Sequence, residues 1–333
     1  MYQKKIKILF FGLGSIGQRY LRILKKKYNN QIKIYAYRKT KKTPFLDRKN
    51  KPISRNIEKY YNIQSIKISE IVSVKPDIVF VTNPSSLHVD TIKKLKSLKN
   101  IYIFVEKPLD IDVKKAIKLL PLAKKNNFKI FYSSNLRFCD DFIYLQKIIK
   151  KFQMGQIYYN IIKYSQHLKS YHPYENYKIS YTSKKNLGGG INFTSIHEID
   201  LIHNLFQNTK KLSLTIENIA LKNLDIKDIF FGVYQSTYRG KKILSLVILD
   251  HFQKSTERYF KLICEKGEII WNLKNNQITI DKKNKKIFKK FKKDKNIMYE
   301  NQVKFFLNLF RKRKNIPETH SIFNGIKCLK LST

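Results

Sequence analysis

The sequence predicts an α/β protein in two parts: an N-terminal doubly wound parallel sheet, then a C-terminal α/β domain built on a large, mostly antiparallel open sheet. Three observations predict it. Up to about Asn135, short apolar runs alternate with amphipathic helical patterns, the order that gives parallel strands covered by helices. Beyond that point the runs lengthen and take on period-two character, as antiparallel strands with one covered face do. The chain has 333 residues, more than one hydrophobic core usually holds, so the change of pattern reads as a domain boundary. We place the domains at residues 1–134 and 135–333.

Lys7 to Phe11 is the first strand and Gln18 to Lys27 its helix, with Tyr20, Leu21 and Leu24 at helical spacing. Ile32 to Tyr37 is the second strand, and Asp77 to Val81 a later buried one, followed by a helix from about Ser86 to Leu98. Ile101 to Val105, a helix from Val113 to Lys125, and Lys129 to Ser133 complete the alternation. In the second part the strands are Ile157 to Tyr164, Leu212 to Ala220, Ile229 to Tyr238, Lys242 to Asp250 and Tyr259 to Cys264. Helices near Asp140 to Lys150, Ser195 to Phe206 and Tyr299 to Arg311 are expected to complete that domain.

After the first apolar run stands Gly12-Leu13-Gly14-Ser15-Ile16-Gly17. A glycine-rich turn between strand and helix can be merely a turn, but this spacing has a specific use. The first glycine permits the tight bend, the second lets backbone approach a pyrophosphate, and the third lets the helix pack on the strand. The open N–H groups at the helix start then face the phosphates. In a doubly wound sheet, ligands sit beyond the carboxyl ends of the strands. Two further segments fall there: Thr82-Asn83-Pro84-Ser85-Ser86-Leu87-His88 and Glu106-Lys107-Pro108. His88 reads either as a ligand contact or as a packed ring at a helix start. Strand two ends in Tyr37-Arg38-Lys39-Thr40 without the carboxylate that binds the adenosine ribose of NAD. Arg38, helped by Lys39, suits a 2′-phosphate, which favours NADP over NAD.

Lys107 is the catalytic candidate of the first part. An ammonium at a strand end, walled by apolar groups, loses its charge more easily than in water and can then donate or accept a proton. The second part supplies Gly188-Gly189-Gly190-Ile191-Asn192-Phe193-Thr194-Ser195-Ile196-His197-Glu198. Consecutive glycines allow close backbone approach, and Ser195 with Glu198 has the spacing of a capping box. His197 then lies in a first helical turn, where the dipole keeps its imidazole neutral and able to exchange a proton. His203, further along, reads as structural.

The 68 Lys and Arg against 24 Asp and Glu give a formal charge of +44, a value that ordinarily points to nucleic acid. The lysines are spread along the whole chain, however, so we expect a solvated coat and no specific nucleic-acid partner. The densest stretch, Lys282 to Lys295, reads either as a polyanion grip or as a strand edge or hairpin that lysine protects from pairing. Cys139, Cys264 and Cys328 show neither metal nor disulfide spacing, which suits a reducing compartment and leaves no metal site. The apolar start is interrupted by glycines, and no apolar run approaches the roughly 18 residues of a membrane span. We expect a soluble, cytoplasmic protein without membrane contact.

Taken in order, GLGSIGQRYLRIL, VTNPSSLH, EKP, NLRF, HPYENYKISYTSKKNLGGG and HEIDLIHNLF resemble the Gfo/Idh/MocA family of NAD(P)-dependent oxidoreductases over nearly the whole chain. The variety most similar is that of surface-polysaccharide and nonulosonic-acid sugar pathways. The resemblance implies a Rossmann domain, then an α/β domain whose open sheet covers the active site and builds a homodimer or homotetramer. It implies that Lys107 is the catalytic lysine and His197 the histidine near the substrate hydroxyl. By the same resemblance Asn135, Arg137, Tyr177, Tyr181 and Thr194 fall among substrate-facing positions. Two departures stand out: Thr194 occupies the region where many relatives carry aspartate, and Tyr20 the place of a histidine. The implied activity is hydride transfer, with NAD(P)(H), to or from a sugar or nucleotide-sugar carbon. The alternatives are a nucleotide-binding sensor without turnover and, from charge alone, a nucleic-acid-binding protein.

Overall fold

The computed structural model describes residues 4–40, 43–283, 285–292, 294 and 296–333. It divides into two compact units: the chain up to Ser133 together with Glu300–Leu329, and Ser134–Tyr299 with Lys330–Thr333.

Six parallel strands form the sheet of the first unit: β1 (Ile6–Phe11), β2 (Ile32–Tyr37), β3 (Ile63–Ser65), β4 (Ile78–Val81), β5 (Tyr102–Val105) and β6 (Lys129–Tyr132). Their order, β3-β2-β1-β4-β5-β6, reverses direction between β1 and β4, which opens a crevice at the strand ends. Both faces are covered, so β4 and β5 are buried at every position and read as unbroken apolar runs. One face carries a row of rings across four strands: Phe10 on Phe80 at 4.9 Å, Phe80 on Phe104 at 4.8 Å, Phe104 on Phe131 at 5.2 Å. Helix α1 (Ser15–Tyr28) lays Tyr20 against Phe80 and Phe104. Its last turn carries Lys25, Lys26 and Lys27, the sign that the C-terminal dipole favours.

Helix α2 (His88–Lys93) follows β4. The single helix expected over Val113 to Lys125 is two, Val113–Ile117 and Leu120–Lys125. Pro121 has no N–H to offer the carbonyl of Ile117, so the first helix stops there.

The second unit has helices α3 (Asp140–Lys150) and α4 (His197–Leu205) on an eight-stranded sheet. Its strands are β7 (Ile157–Ser165), β8 (Gln207–Glu217), β9 (Ile229–Tyr238), β10 (Lys241–Asp250), β11 (Glu257–Cys264), β12 (Gly267–Asn272), β13 (Gln277–Lys282) and β14 (Lys285–Lys290). They stand in the order β8-β9-β10-β7-β11-β12-β13-β14, parallel between β10 and β7 and antiparallel elsewhere. Phe142 and Leu145 of α3 and Ile199 and Ile202 of α4 pack with Phe230, Val247, Phe260 and Trp271 in one core. Trp271 Nε1 donates to Asp141 Oδ2 at 2.8 Å, which pairs the one polar ring atom of that core. Lys285, Lys286, Lys289 and Lys290 are exposed on β14, the last strand of the sheet. Between Lys285 and Lys290 the basic stretch thus lies on an edge strand, paired with β13 in a hairpin, and residues 284, 293 and 295 lie outside the described residues.

One helix is placed differently from expectation. Helix α5 (Ile297–Arg311) was expected to complete the second domain, yet from Glu300 onward it belongs to the first unit with most of α6 (Ile322–Ser332). Phe306 sets its ring edge against Phe80 and Phe104 at 5.9 and 5.3 Å and tilts over Phe131 at 5.3 Å. Helical spacing shows that a face must be buried but not which sheet buries it. The row of phenylalanines supplies the apolar surface that α5 covers.

All three cysteines are free thiols, with Cys264 and Cys328 buried. Among the described residues no helix is long and apolar enough to cross a membrane.

Candidate active site

The three glycines after β1 divide the work as the spacing requires. Gly12 has φ +89° and a Cβ on it would lie 3.0 Å from the Asn83 backbone. A Cβ on Gly17 would lie 2.6 Å from Gly12 O and 2.7 Å from Thr82 Oγ1, so the helix seats on β4 only because that position has no side chain. Gly14 meets nothing within 4 Å. It is also the N-cap of α1, without a side-chain cap, and Ser15 and Ile16 open the helix behind it. Backbone N–H groups at the head of a long helix therefore face an open side, a ready anion cradle. The arrangement fits the pyrophosphate of a dinucleotide. Gln18, fully buried, donates to Pro44 O at 2.8 Å and accepts from Leu46 N at 2.8 Å, which ties the segment after β2 to this helix.

Thr82 and Asn83 follow β4. Thr82 Oγ1 donates to Gly12 O at 2.7 Å and Asn83 Nδ2 to Thr91 Oγ1 at 2.8 Å. Pro84 leads into the turn Ser85–Leu87. His88 is buried, with Nδ1 2.8 Å from Pro108 O and Nε2 2.8 Å from Asn83 O. It stands as a packed ring that ties the segment after β4 to the segment after β5. Burial holds its imidazole below the usual 6.5, although both carbonyls favour the charged form.

Glu106 closes β5 as a buried carboxylate. Its Oε1 accepts from Tyr20 Oη at 2.5 Å and Ser133 Oγ at 2.9 Å, and its Oε2 from the Lys107 N–H at 3.2 Å. Gln302 of α5 joins from the other end of the chain: its Oε1 is 3.2 Å from Tyr20 Oη, and its Nε2 donates to Ser133 Oγ at 3.2 Å. Sequence reasoning noted Tyr20 as a helix-face residue and as a departure, not as a partner of Glu106, and missed Ser133 and Gln302. No local pattern marks partners 27 to 282 residues apart. Lys107 is half-buried, and the Lys107–Pro108 peptide is cis.

Arg38 follows β2, where sequence reasoning found no carboxylate. A carboxylate does stand beside it: Arg38 Nη1 is 3.3 Å from Glu58 Oε1 of the short helix Ile57–Tyr60. Lys39 is exposed.

In the second unit the capping box at Ser195 does not form. Helix α4 starts at His197 with Ile196 as its N-cap and no side-chain cap. Glu198 instead takes Arg258 of β11, at 2.8 Å from Nε and 2.6 Å from Nη2, because a buried carboxylate gains more from a cation than from one backbone N–H. Arg258 also lies 4.1 Å over the Tyr164 ring. Tyr171 Oη and Ser195 Oγ are 3.4 Å apart. Thr194 Oγ1 donates to Gly190 O at 2.8 Å and lies 2.9 Å from Nε2 of His251, a buried histidine that sequence reasoning did not single out. His197 is half-buried in the first turn of α4.

The remaining predicted residues are placed as follows. Arg137 is buried with its Nε 3.1 Å from Asp200 and its Nη1 donating to Asn204 at 2.8 Å, both on α4. Asn135 Nδ2 is 3.3 Å from Met298 Sδ. Tyr177 and Tyr181 lie in one loop, Tyr177 edge-on to His167 at 5.9 Å and Tyr181 tilted on His172 at 5.8 Å. A Cβ on Gly189 would collide with Thr182 O, so the close backbone approach there is to the chain itself. Among the described residues no three His, Cys, Asp or Glu are grouped to hold a metal ion.

Comparison with solved structures returns the same fold along 99% of the chain. A myo-inositol dehydrogenase from Corynebacterium glutamicum is similar with a TM-score of 0.73 at 16% identity, 95% of it being covered. A myo-inositol 2-dehydrogenase from Lactobacillus plantarum gives 0.74 at 18% identity, also with 95% covered. A levoglucosan dehydrogenase in complex with NADH gives 0.77 at 12% identity, again with 95% covered. Comparison with curated protein sequences finds no match. Residues 6–134, β1 to just past β6, match the Gfo/Idh/MocA family model, described as an oxidoreductase family with an NAD-binding Rossmann fold. That match spans all six strands of the parallel sheet.

Proposed function

We propose that the protein is an NAD(P)-dependent oxidoreductase that moves a hydride to or from a hydroxyl- or ketone-bearing carbon of a sugar or nucleotide sugar. The observation that carries this reading is the glycine loop: Gly12 and Gly17 are packed and Gly14 is open, at the head of α1, inside the segment that matches the family model. The first unit holds the dinucleotide and the second the substrate. Gly12, Gly14, Ser15, Ile16 and Gly17 face the pyrophosphate, and Arg38 and Lys39 the adenosine end. Thr82, Asn83, Pro84 and Glu106 border the nicotinamide end, with His88 bracing the segments that carry them. When bound, the nicotinamide supplies or takes up the hydride.

Lys107 takes the hydroxyl proton during oxidation and returns it during reduction, and His197 assists it. His197, Asn135, Arg137, Tyr177, Tyr181 and Thr194 are the second unit's candidates for holding the sugar. Dehydrogenases of inositols and of levoglucosan, which share the fold, support a polyhydroxylated ring as substrate. We place the activity in the cytoplasmic biosynthesis of surface-polysaccharide sugars, in a homodimer or homotetramer.

The test is nicotinamide absorbance with a panel of inositols, hexoses and nucleotide sugars, with NAD and NADP in turn. At least one substrate turns over, and Lys107→Met lowers kcat by a factor of about 10² to 10⁴ while cofactor binding stays measurable. Near-normal turnover in that variant refutes the role of Lys107. Cofactor binding with no turnover across the panel supports a nucleotide sensor instead.

A further inference from the structure

We propose that Glu58 is the adenosine-site carboxylate of this protein and selects NAD over NADP by holding Arg38. The inference rests on the reading that the first unit binds a dinucleotide. In this strand order the residue that follows β2 faces the adenosine ribose. That residue is Arg38, whose planar fork in isolation matches a 2′-phosphate. Here one arm of the fork is already engaged: Nη1 lies 3.3 Å from Glu58 Oε1, with the two side chains 7% and 15% exposed.

Little water screens a pair so enclosed, so a phosphate arriving at Arg38 meets the Glu58 carboxylate at close range. Arg38 cannot turn its fork to the phosphate without leaving Glu58 poorly hydrated beside a like charge. Ribose hydroxyls are donors, which is what a carboxylate accepts. Glu58 therefore supplies, from a helix 20 residues further on, the group that β2 lacks at its own end.

The geometry around Glu58 is built to keep it there. Asn56 caps the helix Ile57–Tyr60, its Oδ1 accepting from Glu58 N at 2.8 Å and Lys59 N at 3.0 Å. The preceding segment is tied to α1 through Gln18, which bonds Pro44 and Leu46. The adenosine-site expectation of NADP treated Arg38 as available, and the ion pair changes that premise.

The experiment is titration of the full chain with NADH and with NADPH, read by nicotinamide fluorescence, for the wild type, Glu58→Gln and Arg38→Gln. We expect the wild type to bind NADH about tenfold or more tighter than NADPH, and Glu58→Gln to shrink that ratio by about tenfold, the worth of one charge-assisted hydrogen bond. Arg38→Gln leaves Glu58 without its cation and widens the preference for NADH, since an unpaired carboxylate repels the 2′-phosphate more strongly. A wild type that prefers NADPH, a ratio unchanged in Glu58→Gln, or a gain of NADPH affinity in Arg38→Gln overturns the assignment while leaving the dinucleotide reading intact. Failure of both nucleotides to bind the wild type overturns both.

Discussion

Replacing Tyr20 by Phe removes one oxygen from the interior of the first unit. The ring is fully buried between Phe80 and Phe104 and keeps those contacts, so no cavity larger than the hydroxyl opens. What is lost is the 2.5 Å donation to Glu106 Oε1. That oxygen retains Ser133 Oγ at 2.9 Å, and Oε2 retains the Lys107 N–H at 3.2 Å. A hydrogen bond to a charged group contributes about 1.5–3 kcal/mol. With two of three donors left, we expect a loss of about 2 kcal/mol in urea unfolding at neutral pH. At about 2–4 °C per kcal/mol for a unit of this size, Tm falls by about 4–8 °C. Ser133→Ala removes the other donor to the same oxygen, so the double variant should depart from additivity by about 1 kcal/mol. A Tyr20→Phe loss below about 0.5 kcal/mol, or strict additivity with Ser133→Ala, would mean that Glu106 does not depend on these hydroxyls, and the reasoning fails.

Two glycines of the loop should separate stability from binding. Gly14→Ala, at φ −68° with open space around it, should keep the wild-type Tm and weaken NADH binding, because its methyl occupies the side the phosphates use. Gly17→Ala must displace Gly12 O and Thr82 Oγ1 and should lose about 1–3 kcal/mol of unfolding free energy. Equal thermal shifts in the two variants would refute that division. His88 should leave a mark on the pH dependence of stability. Its folded pKa lies below 6.5, so the unfolded chain binds the proton first and stability is lost as pH falls below 6.5 towards the folded value, with a slope of up to about 1.4 kcal/mol per pH unit. His88→Gln should flatten the decline of the urea midpoint over that range, and an unchanged slope would show that the ring is not held neutral.

What the sequence made legible is what short-range spacing encodes. The parallel sheet and the glycine turn follow from runs of a few residues, because a buried strand is apolar throughout and a tight turn needs a glycine with φ near +89°. The β9 strand was read to the residue, since Ile229–Tyr238 alternates in and out from Phe230 onward. Long-range choices were not legible. Glu198 has the spacing of a capping partner for Ser195 but is taken by Arg258, 60 residues away. Arg38 looked available until Glu58 was brought beside it by a helix that no hydrophobic period announces. The polar cluster around Glu106 draws on α1, β5, the residue after β6, and α5, so no window of sequence contains it. The same holds for Thr194 and His251, which are 57 residues apart.

The aromatic row on the first sheet is finished by a ring that the ribosome makes last. Phe306 caps Phe80, Phe104 and Phe131, so during synthesis the nascent Rossmann sheet carries a phenyl stripe covered only in part, by Tyr20, until some 170 further residues have emerged. A recombinant fragment stopped near residue 134 would keep that stripe permanently part-covered and should be sticky, whereas a circularly permuted chain that starts with α5 would let the sheet close at once.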